Sequence, residues 1–119
     1  MRRGRGAVCL LSVGEVTVQV GAGGRGGRNQ HFALLCSEGM VGDEITVLSA
    51  GSDGIDGNSP AAGALVDGST MRRAEAVGYP VAAALAAFDS YSLLAALDDT
   101  ITTGPTGNNL RDLRILLAP

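Results

Sequence analysis

Residues 21–30 read Gly-Ala-Gly-Gly-Arg-Gly-Gly-Arg-Asn-Gln, a glycine-dense loop with two guanidinium groups that runs from an alternating apolar stretch into a helix-prone one. Glycine lacks a Cβ, takes positive φ freely and lets successive backbone N–H groups converge. A helix beginning near Arg28 adds free N–H donors and the positive end of its dipole. Arg25 and Arg28 contribute planar forks matched to phosphate or carboxylate, so the loop, with Gly26 and Gly27 at its centre, has the makings of an anion cradle. A flexible glycine-rich hairpin with solvated arginines is the other reading of the same residues.

Two phosphate-binding loops can be tested against this stretch. A P-loop requires Gly-Lys-Ser/Thr, and all nine basic residues of this chain are arginine. Gly21, Gly23 and Gly26 spell G-x-G-x-x-G, but the acidic residue that should close the next strand is missing, because Asp43 and Glu44 precede the next apolar run.

A second chemical stretch follows the apolar run of residues 45–50: Gly51-Ser52-Asp53-Gly54-Ile55-Asp56-Gly57-Asn58-Ser59-Pro60. Two aspartates three apart at the carboxyl end of a strand lie where open α/β sheets place ligands, and hard oxygen donors suit Mg²⁺ beside phosphates. Asp53 and Asp56 are therefore candidate metal ligands; the competing reading is an Asx-rich turn in which they cap backbone amides. A third polar loop, Gly104-Pro105-Thr106-Gly107-Asn108-Asn109, offers neutral hydrogen-bonding groups. Each loop follows a predicted strand, and strands of one sheet can carry all three to a common edge.

The elements that must position these loops are legible in outline. Residues 8–11 form an apolar run, residues 12–14 a tight hairpin, and residues 15–20 alternate with the period of a half-buried strand. Phe32, Leu34, Leu35 and Cys36 give a helical face that stops at Glu38-Gly39. Residues 45–50 lack strict alternation, which predicts a central strand buried on both faces. Residues 61–66 suit a strand or short helix, Asp67-Gly68-Ser69-Thr70 a turn capping a helix over 71–77, and residues 81–88 and 91–97 two further helices. Residues 100–103 and 113–117 read as the last strands. The expected fold class is α/β: a layered α/β/α sandwich with a mixed sheet of about five or six strands and helices on both faces.

Composition sets the outer bounds. The 119 residues suit one domain with one core, built mostly from aliphatic side chains because only 3% are aromatic and there is no tryptophan. A net charge of −3 and the lack of interleaved basic and aromatic residues argue against a nucleic-acid partner. No apolar run is long enough to span a bilayer, so a soluble, cytoplasmic protein with no membrane association is expected. Cys9 and Cys36, in a predicted strand and a predicted helix, read as buried free thiols, and His31, the one histidine, as a helix-surface residue rather than a zinc ligand. Arg2, Arg3 and Arg5 form a basic start, so residues 1–7 are set apart from a domain over residues 8–119.

In order and spacing, Gly24-Arg25-Gly26-Gly27-Arg28-Asn29-Gln30, Ser49-Ala50-Gly51-Ser52-Asp53-Gly54-Ile55-Asp56-Gly57, Asp89-Ser90-Tyr91 and Thr103-Gly104-Pro105-Thr106-Gly107 resemble the MOFRL domain. That is the C-terminal domain of the glycerate 2-kinase family, whose members have also been labelled hydroxypyruvate reductases. The resemblance implies ATP- and Mg²⁺-dependent phosphorylation of D-glycerate in a cleft shared with a larger N-terminal α/β domain. On that resemblance Arg28 is the catalytic cation, clamping the substrate carboxylate or the transferring phosphoryl group. Asn29 and Gln30 orient substrate, Asp53 and Asp56 face the cleft as metal or hydroxyl partners, Glu15 is the acidic residue of the first hairpin, and Thr106 and Asn109 line the rim.

The chain departs from the family pattern at Val13, Val16, His31, Pro60, Phe88, Asn108 and Arg111, which stand where glycine, threonine, glutamate, an acidic residue, asparagine, threonine and asparagine are usual. The resemblance also implies a catalytic lysine from the N-terminal domain, and this chain has none to offer. The expectation is half a kinase cleft, inactive alone, whose partner is the N-terminal domain in cis or in trans. Two other readings stand beside it: a stand-alone module holding a small anion or nucleotide, and a degenerate domain kept as an oligomerisation surface, with a homo-oligomer possible.

Overall fold

The computed structural model describes residues 7–14, 24–108 and 111–119. The predicted strand over residues 15–20, the first glycines of the loop, Glu15, Asn109 and the arginines of the basic start lie outside the described residues. Five strands, β1 (Val8–Val13), β2 (Thr46–Gly51), β3 (Gly63–Asp67), β4 (Thr100–Ile101) and β5 (Asp112–Ala118), form one sheet in the order β1-β5-β2-β3-β4. Four helices complete the fold: α1 (Arg28–Glu38), α2 (Thr70–Ala76), α3 (Val81–Ala86) and α4 (Ser90–Ala96).

The strand count and α/β class agree with the sequence reading, but the sheet is not mixed. All four pairings among the described strands are antiparallel. Side chains alternate across a strand, so the register sorts the sheet into two faces. Val47, Ser49 and Gly51 of β2 align with Leu116, Arg114 and Asp112 of β5 and, from Val47 and Ser49, with Val66 and Ala64 of β3. This face is covered: Val47, Ala64 and Val66 join Ala33 and Leu34 of α1, Ala74 of α2, Val81 and Ala84 of α3 and Leu93 and Leu94 of α4 in one core cluster. Each fully buried leucine contributes about 1.5–3 kcal/mol.

The other face carries Leu48 of β2 level with Ile115 of β5 and Leu65 of β3, and Leu11 of β1 level with Ile115. None of these four side chains is buried. Two expectations are corrected here. The described helices pack on one face rather than on both. And β2 is central but alternates in burial, with only Val47, Ser49 and Gly51 buried, because the second face lacks a covering layer among the described residues.

Local sequence explains the elements that matter for the loops. Gln30, Ala33, Leu34 and Ser37 of α1 are buried and recur at helical spacing, so this stripe lies on the sheet, and Gly39 caps the helix by donating its N–H to the Cys36 carbonyl at 3.0 Å. At the start of α2, Asp67 Oδ1 accepts the Ser69 N–H at 2.8 Å and Thr70 Oγ1 accepts the Asp67 N–H at 2.9 Å, the capping turn expected of that tetrapeptide. Among the described residues no helix is long and apolar enough to cross a membrane.

Candidate functional site

β2 ends at Gly51, opposite Asp112 at the start of β5, so both strands deliver their loops to one edge of the sheet. The first loop reaches that edge by entering α1 through Gly27. There it meets the second loop backbone to backbone: a Cβ on Gly27 would strike the Asp56 carboxylate, and one on Gly57, where φ is +64°, would strike the Gly26 carbonyl. Asn58 clamps the contact, its Oδ1 accepting the Gly26 N–H at 2.9 Å and its Nδ2 donating to the Gly24 carbonyl at 3.1 Å. The third loop is tied to the second, with Thr106 Oγ1 donating to the Ser52 carbonyl at 2.6 Å and the Thr106 N–H to the Asp53 carbonyl at 3.1 Å. The three polar loops thus converge.

Asp56 holds the centre of this arrangement. Its carboxylate is 2% exposed and accepts four N–H groups: Asn29 N at 3.0 Å and Nδ2 at 3.3 Å on one oxygen, Gln30 N at 2.8 Å and Nε2 at 3.0 Å on the other. The donors at the N-terminus of α1, which the sequence offered to a bound anion, are filled by the protein's own carboxylate. Both oxygens are engaged by donors, so Asp56 does not fit a metal ligand, and the capping alternative describes it. Asp53 is half-buried and its Oδ1 accepts the Ile55 N–H at 3.1 Å, an Asx turn. Among the described residues no group of three or more His, Cys, Asp or Glu side chains is placed to hold a metal ion. The Asp53 and Asp56 pair therefore does not fit Mg²⁺.

Asn29 and Gln30, expected to orient substrate, are buried beneath the loop. The Asn29 Oδ1 accepts the Ser49 hydroxyl at 2.8 Å, and Gln30 Nε2 also donates to Ser59 Oγ at 2.8 Å, so both side chains tie α1 to the sheet and to the second loop. Only Gln30 Oε1, among buried side-chain oxygens and nitrogens of the described residues, has no hydrogen-bond partner.

Arg28 opens α1 and projects outward from this base. Its Nε donates to Asp112 Oδ2 at 2.6 Å and its Nη2 to Asp112 Oδ1 at 3.1 Å, a bidentate fork. The Arg28 side chain is 46% exposed and that of Asp112 3%, so a buried carboxylate orients a cation toward solvent at the convergence of the loops. Arg25, three residues earlier, is exposed, its guanidinium carbon 4.7 Å from the centroid of the Tyr91 ring. Gly26 rests on Ser90, where a Cβ would strike the hydroxyl, and Gly27 is buried.

Asp89-Ser90-Tyr91 secures the outer side of the first loop. Asp89 Oδ1 accepts the Arg25 N–H at 2.9 Å and Oδ2 accepts the Tyr79 hydroxyl at 2.8 Å, while the Tyr91 N–H donates to the Arg25 carbonyl at 2.9 Å. Burial pushes the Asp89 carboxyl up, but hydrogen bonds from Arg25, Ser92 and Tyr79 and the Arg25 charge outweigh it and hold the group below the usual carboxylate range. Burial, then the hydrogen bond to Asp89 and its charge, push the Tyr79 phenol up to about 12.

His31 corrects the sequence reading. It is 8% exposed rather than on the surface, and its ring stacks on Phe88 with centroids 5.3 Å apart and planes 13° apart. Burial lowers its pKa, so the imidazole is neutral.

Asp112, Asn58 and Ser49 were not singled out from the sequence. Asp112 had one available signal, a lone carboxylate opening an apolar strand. Nothing local marks Asn58 or Ser49, whose roles depend on partners 32 and 20 residues away.

The model of the MOFRL family matches residues 8–112. The chain is 44% identical over 107 residues to the D-glycerate 2-kinase of Thermotoga maritima, covering 89% of this chain and 26% of that protein. It is 41% identical over 124 residues to the human glycerate kinase, covering 98% of this chain and 24% of that one. The fold matches a crystal structure of glycerate kinase from Thermotoga maritima with a TM-score of 0.88 at 41% identity, over 93% of this chain and 27% of that chain. A Pyrococcus horikoshii protein of known structure matches with a TM-score of 0.86 at 35% identity, over 92% and 26%. The chain spans about a quarter of the length of these relatives. It belongs to the MOFRL family.

Proposed function

We propose that this chain is the C-terminal domain of a glycerate kinase and supplies one wall of its cleft, with Arg28 as the cation that meets D-glycerate or the phosphoryl group in transfer. The observation that carries this reading is the Arg28–Asp112 fork, a guanidinium aimed outward from a buried carboxylate where three loops converge. Phosphoryl transfer depends on positioning and on stabilising charge over the phosphoryl oxygens, and an arginine fixed in this way does both without rearranging. ATP supplies the γ-phosphoryl group; the lysine this chain lacks comes from the N-terminal domain, in cis or in trans. Asp53, Thr106, Glu15 and Asn109 are proposed to border the cation. Arg25, Gly26 and Gly27 hold the loop that presents it.

An anion-binding module built on the α1 N-terminus is disfavoured, because Asp56 already occupies that N-terminus. The test is to graft this chain in place of the matching segment of the Thermotoga maritima D-glycerate 2-kinase and assay ATP-dependent phosphorylation of D-glycerate. An active graft that loses turnover with Arg28→Ala, while staying folded, supports the reading. A graft as active with Arg28→Ala as without it refutes it.

A further inference from the structure

Asp53, Asp56, Asp89 and Asp112 stand at or beside the converging loops, and three of them are fully engaged. Both oxygens of Asp56 accept N–H groups from α1, both oxygens of Asp112 accept the Arg28 fork, and both oxygens of Asp89 accept donors from Arg25, Tyr79 and Ser92. Asp53 differs. Its Oδ1 accepts the Ile55 N–H, while its Oδ2 accepts no hydrogen bond from the described residues. The backbone fixes where this carboxylate stands. Gly51 pairs with Asp112 across β2 and β5, so both residues face the same side of the sheet, and opposed Cβ positions lie about 4.5–5.5 Å apart. Gly51 has no Cβ, and Asp53 Oδ1 lies 3.2 Å from where one would stand, with Asn29 Nδ2 of α1 3.6 Å from the same point. The Asp53 carboxylate therefore lies on the helix-covered side of the sheet, neighbouring the residue that holds Arg28. Its turn is pinned on both sides, since the Asp53 carbonyl accepts the Thr106 N–H and the Gly54 N–H donates to the Gly51 carbonyl, each at 3.1 Å.

We propose that Asp53 is the general base of the phosphoryl transfer, its open Oδ2 taking the proton of the substrate hydroxyl while Arg28 holds an anionic group. In that step the hydroxyl oxygen of D-glycerate bonds to the γ-phosphorus of ATP and its proton passes to Asp53 Oδ2. The P–O bond to the β-phosphate breaks, its electron pair leaving on ADP, and Asp53 then releases the proton to solvent. A carboxylate that accepts the proton of the attacking hydroxyl is a recurring part of phosphoryl-transfer sites. The role calls for one carboxylate, held in position and with an oxygen to spare, which describes Asp53 and not Asp56, Asp89 or Asp112. The assignment rests on the glycerate kinase reading and adds to it the group that activates the nucleophile.

Asparagine separates this role from a structural one, because its Oδ1 makes the same Asx turn to the Ile55 N–H while its amide cannot take up the proton. The experiment measures kcat, KM for D-glycerate and urea unfolding on this chain grafted into the Thermotoga maritima enzyme. Asp53→Asn should lower kcat about 100-fold or more, with KM and the unfolding midpoint little changed. Gly51→Ala keeps the carboxylate but crowds its Oδ1, and should lower kcat about tenfold, whereas Gly39→Ala, far from it in the chain and with only an ordinary contact, should leave kcat in place. A kcat for Asp53→Asn within about threefold of the unsubstituted graft overturns the proposal, and so does a raised KM at unchanged kcat, the mark of a residue that only binds. A loss of kcat that merely follows a loss of folded protein overturns it as well. The two readings fail separately. Turnover kept with Asp53→Asn and lost with Arg28→Ala removes the role of Asp53 alone; turnover lost with Asp53→Asn and kept with Arg28→Ala removes that of Arg28 alone. A graft without turnover counts against both.

Discussion

Replacing Asp56 by asparagine keeps the size of the side chain and removes the charge that holds two loops and a helix together. Asparagine has one oxygen to accept N–H groups and presents an NH₂ to the other pair of donors, so either the Asn29 or the Gln30 pair is left facing a donor. Two unpaired buried donors cost about 1–3 kcal/mol each, and loss of the negative charge at the helix N-terminus adds about 0.3–2 kcal/mol. The sum is about 2–8 kcal/mol, a large share of the roughly 5–15 kcal/mol that holds a domain together. The unfolding midpoint should fall by more than about 10 °C. Far-UV circular dichroism during urea and thermal unfolding measures this, since the chain has no tryptophan. Added Mg²⁺ should not change the difference between wild type and Asp56→Asn. A loss below about 1 kcal/mol, or a Mg²⁺-dependent stability present only with Asp56, would refute the assignment of this carboxylate as an internal cap.

Other perturbations follow from the same geometry. Gly27→Ala should cost about 1–3 kcal/mol in urea unfolding, because its Cβ meets the Asp56 carboxylate and the Gly57 backbone, whereas Gly39→Ala, with only an ordinary contact at 3.7 Å, should be neutral or slightly stabilising. His31 has a lowered folded pKa, so its contribution is complete above the unfolded value of about 6.5 and is lost as pH falls below it; His31→Leu should flatten the decline in melting temperature between about pH 7 and about pH 5. The lowered carboxylates Asp67 and Asp89 withdraw their contribution only at more acidic pH, below the usual carboxylate range of about 4, so the two windows separate in a pH series. Arg28→Lys cannot reproduce the two-point fork on Asp112 and should weaken binding of D-glycerate nearly as much as Arg28→Ala, as titration calorimetry on the grafted enzyme would read.

What the sequence disclosed was local, and what it concealed was pairing at a distance. Glycine spacing marked the loops, and the Asp67–Thr70 turn and the Gly39 stop marked helix ends, because each is decided within a few residues. The burial of β2 was misread because a short apolar run looks the same whether one face or both are covered. The direction of the sheet was misread because β1 and β2, joined through α1, run the same way but are separated by the antiparallel β5, and the long connection through α2 to α4 returns to an antiparallel pairing of β3 with β4. Asp56 was weighed both as a metal ligand and as a cap. Its choice depends on the N-terminus of a helix 26 residues earlier, which only the folded chain brings into reach. Asp112 was invisible for the same reason, standing 84 residues from Arg28.

The central claim is that the converging loops preform a half-site around Arg28. The most direct measurement is thermal unfolding of this chain with and without D-glycerate, 2-phosphoglycerate and Mg·ATP, repeated on Arg28→Ala. A ligand at about 100 times its Kd stabilises the native state by about 2.7 kcal/mol, a shift readily resolved at this chain length. The account predicts that a glycerate compound raises the midpoint of the wild type and leaves that of Arg28→Ala in place. A shift of equal size in both proteins, or none in the wild type, would contradict it.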